Sequence, residues 1–179
     1  MPHDRRSVQR SDRRAALFNV FGPRQALSNP YTGVLAIFAS RLLNDNPPAI
    51  FEDGEQRRDF VSVHDVARAC RLALDAENAP GKAFNIGSGQ SYTIREIAQR
   101  VSAAVGKEYI TPEITGQYRV GDIRHCFADI SRARGVLAYT PSITLEDGLV
   151  ELAQWLEGQR AEDKVTQARE ELAARGLTV

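Results

Sequence analysis

Three short segments combine arginine, acidic and amide side chains with glycine turns, a residue set suited to holding phosphorylated ligands. In the first, residues 18–25, Asn19 stands in an apolar run that closes at Gly22 and Pro23. An asparagine side chain offers both a donor and an acceptor, and open α/β sheets bind ligands where such strands end. Taken alone, the segment is more typical of an ordinary strand end followed by a turn.

The second segment, residues 53–66, places Arg58 between an Asp-Gly turn and an apolar strand. At the start of a strand, a guanidinium group can form paired hydrogen bonds with phosphate oxygens. The structural alternative is a surface arginine paired with Asp59 or Asp65. Asp65 itself is interpreted as the N-cap of the following helix rather than as a catalytic acid.

The third segment, residues 118–124, contains Arg119 and Asp122 on either side of the pair Val120-Gly121. A glycine permits a sharp bend, which would bring the cation and the carboxylate to one side. Together they could bind a phosphate and a ribose diol. The alternative is a local ion pair in a loop, which contributes little to stability.

Hydrophobic periodicity defines the elements that must position these segments. Short apolar runs predict strands, which cover residues 15–21, 83–86 and 109–114. A hairpin of residues 49–51 and 59–61 is predicted around Asp53-Gly54, a strong turn signal. Helical spacing of apolar residues marks helices near residues 35–43, 66–73, 93–105, 144–156 and 161–175.

Two threonines predict where helices begin. Thr93 stands three residues before Glu96, which is a capping box, and Thr144 precedes the helix that contains Leu145 and Leu149. Because strands and helices alternate, the fold class is α/β. The buried strands are fewer than a doubly wound sheet normally has, so the elements are expected to form part of a larger sheet.

Composition excludes several classes of function. The 179 residues contain 23 Lys and Arg against 23 Asp and Glu, so the net charge gives no reason to expect nucleic-acid or membrane binding. No apolar stretch approaches the length of a membrane span, and no signal peptide is recognisable. Cys70 and Cys126 form no CxxC pair and are expected to be buried or half-buried thiols of a cytoplasmic protein. The histidines lack metal-ligand spacing.

Arginines crowd the amino terminus, at positions 5, 6, 10, 13 and 14. A run of this kind is either an arm for an anionic partner or, as we expect here, a solvated and poorly ordered extension. The sequence therefore divides into an extension at residues 1–14, a folded region at residues 15–158 and a helical tail at residues 159–179.

The order and spacing of the segments resemble the carboxy-terminal part of extended short-chain dehydrogenase/reductase proteins. The resemblance is to NAD-dependent epimerases and dehydratases, in particular UDP-glucose 4-epimerase. It is carried by FNVFGPRQ at residues 18–25, DGEQRRDFVSVHDVA at 53–67, AFNIGSG at 83–89 and the segment from Arg119 to ADIS at 128–131. It implies a partial Rossmann-like fold with a few parallel strands, a small hairpin and several helices.

The resemblance also implies roles for individual residues. Asn19 matches an asparagine that contacts the sugar-phosphate part of the substrate. Arg58 and Arg119 match two arginines that bind the diphosphate, and Asp122 matches a carboxylate near the ribose. The implied ligand is a UDP- or dTDP-sugar. Charge-assisted hydrogen bonds from two guanidinium groups would hold its diphosphate in place.

Two further positions follow from the resemblance alone. Phe51 stands where the family packs or hydrogen-bonds the nucleotide base. Val34 stands where the backbone contacts the nucleotide.

The catalytic signatures of the family are absent from this sequence. No glycine-rich G-x-x-G-x-x-G turn for NAD is present, and no tyrosine is followed four residues later by lysine. The single Gly-x-Gly, Gly87 to Gly89, lacks the third glycine. Ala16 and Leu17 also replace an Arg-Tyr pair that is usual in the family. The sequence therefore predicts no catalytic, cofactor-binding or metal-binding residue of its own, although the intact family uses NAD.

Three functions remain open on these observations. The chain is part of a sugar-nucleotide epimerase or dehydratase, inactive alone, or it is a non-catalytic nucleotide-sugar binding or interaction module. Nucleic-acid binding through the arginine-rich arm is disfavoured because the rest of the chain is not basic. A partial fold exposes sheet edges and apolar surface, so a homo-oligomer is expected.

Overall fold

A computed structural model describes residues 12–27, 33–159 and 163–178. The strands of this part of the chain are short, with the bounds β1 Arg14–Leu17, β2 Asn19–Phe21, β3 Ala49–Ile50, β4 Arg57–Arg58, β5 Phe60–Ser62, β6 Ala83–Ile86, β7 Tyr92–Thr93, β8 Glu113–Ile114 and β9 His125–Cys126. The helices are α1 Val34–Leu43, α2 Val63–Asp75, α3 Ile94–Ala104, α4 Ser131–Leu137, α5 Leu145–Leu156 and α6 Val165–Ala174.

Most strand pairs are parallel and join segments that are distant in sequence. The pairs β1–β6, β2–β5 and β3–β8 are all parallel. In the remaining sheet, β4 lies between β7, which is antiparallel to it, and β9, which is parallel. Parallel pairing with intervening helices is the pattern of an α/β fold, which confirms the predicted fold class.

The strand β5 separates two hydrophobic clusters. Phe60 belongs to the cluster formed with α1, α3 and α5, whereas its neighbour Val61 belongs to the cluster formed with α2, α4 and β6. Successive residues of a strand point to opposite faces of the sheet. The sheet layer therefore has helices packed on both faces.

The capping signals correctly predicted where two helices begin. The Thr93 Oγ1 accepts a hydrogen bond from the Glu96 amide, and the Glu96 carboxylate accepts one from the Thr93 amide. Thr144 caps α5 by accepting from the amide of Asp147. Both signals depend only on residues within one turn, which explains why they are readable in sequence.

The predicted hairpin of residues 49–51 and 59–61 is wrong. The two runs form β3 and β5, which pair with β8 and β2 and never with each other. The turn itself is present, since Gly54 has φ of 83°. The amide of Arg95, at the start of α3, donates to the Gly54 carbonyl oxygen. The backbone after the turn is therefore paired with the α3 region and not with the preceding strand.

Three other expectations are corrected by the burial of the residues concerned. Residues 15–21 form two strands, and all four residues of β1 are exposed. The strand predicted at residues 109–114 is reduced to β8, with Tyr109 exposed. Cys70 is exposed on the outer side of α2, while Cys126 is half-buried as expected.

Asp65 is not the N-cap of α2. The cap is Ser62, whose side chain accepts from the amide of His64, and Asp65 lies in the first turn. Its carboxylate instead accepts from the amides of Ser142 and Ile143, ahead of α5. A serine and an aspartate near the same helix start are equally plausible caps, so the local sequence did not distinguish them.

The two ends of the chain are described in part. The predicted extension lies outside the described residues except for residues 12–14, of which Arg14 already belongs to β1. The helical tail is present as α6. None of the helices in the described part of the chain has the length and apolar composition needed to cross a membrane. The same residues contain no cluster of His, Cys, Asp and Glu that could hold a metal ion.

Candidate nucleotide-diphosphate site

A cavity of about 220 Å³ opens beside the ends of several strands. All six residues selected from the sequence line it: Asn19, Val34, Phe51, Arg58, Arg119 and Asp122. They come from β2, the start of α1, the residue after β3, β4, and the loop that precedes β9. The parallel strand pairs bring these distant segments together at one place.

Asn19 is fixed at the start of β2 by its side-chain amide. Its Nδ2 donates to the carbonyl oxygen of Asp59 at 2.9 Å. Asp59 is fully buried, and its carboxylate accepts from the amides of Ser88 and Gly89 at 2.7 and 3.1 Å. The orientation of Asn19 is therefore tied to the loop that follows β6.

Arg58 points across the cavity to the loop before β9. Its guanidinium donates to the carbonyl oxygens of Ile123 and Arg124 at 2.6 and 2.7 Å, and it lies 3.6 Å from the Asp122 carboxylate. The alternative pairing with Asp59 or Asp65 does not occur, because both carboxylates are occupied by other donors. Arg58 is thus held by two backbone carbonyl groups and by a longer ion pair with Asp122.

Arg119 stacks on the ring of Phe51. The guanidinium carbon is 4.8 Å from the ring centroid, within the range of a cation–π contact. The Nε of Arg119 is buried and has no hydrogen-bond partner among the described residues. The local ion pair considered between Arg119 and Asp122 is not formed; the two are joined only by a backbone hydrogen bond of 3.1 Å.

The loop that carries Asp122 is anchored from its other end by Arg124. The Arg124 guanidinium pairs with the carboxylates of Glu52 and Asp53, the latter at 2.8 Å. The hydrogen bond from Arg124 lowers the pKa of Asp53 to about 2, and the same bond raises the pKa of Arg124. Both groups stay charged at neutral pH, so the carbonyl groups that hold Arg58 remain in place.

Gln56 lines the cavity and was not selected from the sequence. It is 6% exposed, and its Nε2 donates to the Phe51 carbonyl oxygen at 2.7 Å. Its Oε1 is buried without a partner among the described residues. A buried polar atom without a partner calls for an explanation such as a ligand or a water. Its position two residues before Arg58, in a segment already identified, was the available signal.

The helix α6 forms a wall of the cavity that the sequence did not predict. Its contribution consists of Val165, Ala168, Arg169 and Leu172. These residues follow helical spacing and so share one face. The sequence signal was present as a narrow apolar face, but a weak face does not identify the surface against which it packs.

The described elements define an α/β protein with a Rossmann-like fold. Residues 14–87 match the model of the NAD dependent epimerase/dehydratase family. A dTDP-L-rhamnose 4-epimerase from Burkholderia thailandensis is 39% identical over 140 residues, which are 78% of this chain and 38% of that protein. The chain belongs to the NAD-dependent epimerase/dehydratase family and is similar to its UDP-glucose 4-epimerases.

Solved structures agree with this assignment. UDP-glucose 4-epimerase from Thermotoga maritima, solved with UDP-glucose, has a TM-score of 0.72 at 34% identity and covers 80% of this chain. UDP-glucuronic acid 4-epimerase from Bacillus cereus, solved with UDP-glucuronic acid and NAD, has a TM-score of 0.70 at 32% identity with the same coverage. This chain spans 45% and 44% of those two chains. It is therefore a partial chain relative to its relatives.

Members of the family bind NAD, and a dinucleotide fingerprint holds the cofactor's phosphates with free backbone amides. The only Gly-x-Gly segment of this sequence has its amides directed at a protein carboxylate, since Ser88 and Gly89 donate to Asp59. A Cβ at Gly87 would lie 2.5 Å from Asp59 Oδ2, so the loop closes tightly on that side chain. The amides that a phosphate would need are occupied, and the segment does not fit NAD.

Proposed function

We propose that this chain forms the nucleotide-diphosphate binding part of a sugar-nucleotide epimerase or dehydratase, of the UDP-sugar 4-epimerase type. The observation that carries the proposal is the convergence of six residues, chosen from separate segments of sequence, on one cavity. Unrelated surface arginines would have no reason to meet there. The proposed ligand is a UDP- or dTDP-sugar.

The cavity suits the nucleotide part of such a ligand. Its apolar lining includes Val34, Ile37 and Phe38, and its polar lining includes Arg58, Arg119 and Asp122. Phe51 also lines it and stacks against Arg119. A base packed on the apolar residues would place its diphosphate near two guanidinium groups, which form strong charge-assisted bonds with phosphate oxygens.

The volume of the cavity indicates that it holds only part of the ligand. Pockets for complete small ligands measure about 300–1,000 Å³, whereas this one measures about 220 Å³. We therefore place the nucleotide inside and let the sugar project past Asn19. In this arrangement the sugar meets the part of the enzyme that this chain does not contain.

We assign the catalytic reaction to the part of the enzyme that this chain does not contain. Hydride transfer at a sugar carbon requires a nicotinamide and an acid/base group. The sequence has no G-x-x-G-x-x-G and no Tyr-x-x-x-Lys, and its one Gly-x-Gly is occupied by Asp59. We expect no turnover of UDP-glucose by the purified chain, even with NAD added. Detectable epimerisation would contradict this part of the proposal.

The binding role is tested by calorimetric titration of the chain with UDP and, separately, with NAD. We expect UDP to bind and NAD not to bind measurably. Replacing Arg58 by alanine should weaken UDP binding about tenfold or more, since a hydrogen bond to a charged group contributes about 1.5–3 kcal/mol.

Arg71→Ala is the matched control for Arg58→Ala. Arg71 forms an exposed pair with Asp75 on α2, at 3.9 Å, and lies outside the cavity lining. Its loss should leave UDP affinity unchanged. If the unaltered chain fails to bind UDP, or both variants weaken binding equally, the proposal is wrong. The cytoplasmic location of the protein stays a prediction.

A further inference from the structure

The helix α6 is fixed against the cavity at both of its ends. Before its first residue, the Asp163 carboxylate pairs with Arg41 at 3.3 Å and accepts from Asn46 at 2.8 Å. The charged groups of this pair are only 10% and 12% exposed. Beyond its last turn, the amide of Val120 donates to the Leu177 carbonyl oxygen at 3.0 Å. These contacts hold α6 in one position along the cavity.

The same contacts connect α6 to the residues proposed to bind phosphate. Arg119 forms an antiparallel bridge with Thr178, just beyond α6. Arg169, on α6, donates to the side-chain oxygen of Gln117 at 3.0 Å. The tail therefore braces the loop that carries Arg119 and places another guanidinium group beside it.

The charge of the cavity wall is unbalanced. The charged residues that line it are Arg58, Arg119, Arg169 and Asp122. The single carboxylate lies 3.6 Å from Arg58. In the described part of the chain, Arg169 forms no ion pair; its partner is the neutral amide of Gln117. A half-buried cation with a neutral partner keeps donors available for an anionic ligand.

We propose that Arg169 is a third anion-binding residue of this site and that α6 is a ligand-contacting element of it. This inference rests on the proposed nucleotide-diphosphate function. Three guanidinium groups facing one carboxylate match a doubly negative diphosphate better than two would. Arg169 binds the phosphate groups and not the base, since its charge offers a base no comparable advantage.

The test compares UDP with uridine, which has the same base and ribose without phosphate. Binding of both to the full chain is measured by calorimetry and by ligand-detected NMR. Arg169→Ala should weaken UDP binding about tenfold, as expected for loss of a charge-assisted hydrogen bond, and leave uridine binding unchanged. Arg169→Lys, which keeps the charge, should recover part of the affinity for UDP.

Arg175→Ala is the matched control. Arg175 is exposed at the carboxyl end of the same helix, outside the cavity lining, and its loss should not change either affinity. Thermal unfolding of each variant verifies that α6 has not simply detached from the fold. If Arg169→Ala destabilises the chain, Arg169→Gln and Arg169→Lys provide the same comparison.

Each outcome decides between the alternatives. Unchanged UDP affinity in folded Arg169→Ala or Arg169→Gln overturns the inference and leaves the proposed function intact. Equal losses for UDP and uridine show a contact with the nucleoside and also overturn it. Failure of the unaltered chain to bind UDP rejects the proposed function, a result distinct from both.

Discussion

At the scale of single residues, Asp65 is a buried charge on which two elements depend. It is 1% exposed, and its carboxylate accepts from the amides of Ser142 and Ile143 at 3.0 Å and from Arg68 at 2.6 Å. It thereby fixes the start of α5 to α2. Asp65→Asn should destabilise the fold by about 2–3 kcal/mol, because hydrogen bonds to a charged acceptor are lost within a buried site.

The measurement for Asp65→Asn is urea unfolding at neutral pH. Asp75→Asn serves as the control, since Asp75 is exposed and forms a long pair with Arg71. It should change the free energy of unfolding by less than about 0.5 kcal/mol. Equal effects of the two substitutions would show that the Asp65 contacts do not stabilise the fold.

The same carboxylate predicts a pH dependence of stability. Burial alone would raise the pKa of Asp65, but hydrogen bonds from Arg68, Ile143 and Ser142 outweigh it and hold the pKa below its usual 3.8. A lowered pKa in the folded state gives stability that is fully present above the unfolded-state value and lost as the pH falls through the folded-state value. The difference in unfolding free energy between the unaltered chain and Asp65→Asn should therefore shrink in acid. A difference that stays constant from neutral pH to pH values well below 3.8 would contradict this.

The motifs singled out Asn19, Arg58 and Arg119 as members of one site, and all three line the same cavity. The partners of those residues were not predictable from the sequence. The structural alternative for Arg58 was a pairing with Asp59 or Asp65, but the side chain is held by carbonyl groups of a loop 65 and 66 residues away. Arg169 also lines the cavity but was not selected, because its position depends on where α6 packs. Motifs specify a side chain, whereas long-range packing determines its neighbours.

At the scale of elements, the loop between β6 and β7 illustrates why the fold needs glycine at position 87. A Cβ there would lie 2.5 Å from Ala128 Cβ and from Asp59 Oδ2. Gly87→Ala should destabilise the fold by about 2–4 kcal/mol, because the added methyl group would overpack this site. It would push the buried Asp59 carboxylate away from the amides of Ser88 and Gly89 that it accepts hydrogen bonds from. Chemical denaturation measures the change.

Gly135→Ala is the matched control for Gly87→Ala. Gly135 lies inside α4, and a methyl group added there would meet no described atom within 4 Å outside its own stretch of helix. The same substitution there should stabilise the chain by about 0.5–1 kcal/mol, since alanine favours a helix more than glycine does. Opposite signs are thus expected from one chemical change, and destabilisation of similar size at both positions would refute the steric explanation.

Elements were predictable to the extent that their signals are local. The caps of α3 and α5 follow from Thr93 and Thr144 within one turn. The hairpin failed because β3 and β5 have partners elsewhere in the chain, and an Asp-Gly turn does not reveal them. Parallel pairing joins strands across long crossovers, so local sequence cannot determine it.

At the scale of the whole molecule, β1 is a strand that this partial fold leaves exposed, with one edge unpaired among the described residues. It pairs with β6 along one edge, and the described residues supply no partner for its other edge. All four of its residues are exposed, with Leu17 at 49%. The sequence predicted a buried strand here because its apolar composition suits the interior of a larger sheet.

An exposed apolar strand with a free edge favours pairing with another chain. We therefore expect the purified chain to self-associate through β1, and we expect Leu17→Lys to shift it toward monomer, since a charged side chain on an edge strand opposes pairing. Sedimentation velocity over a range of concentrations measures this. Tyr109→Lys is the control: Tyr109 is 74% exposed but lies outside any described strand, so its replacement should leave the association unchanged. A monomer at every concentration, or equal dissociation by both variants, would mean that the free edge of β1 is not the contact.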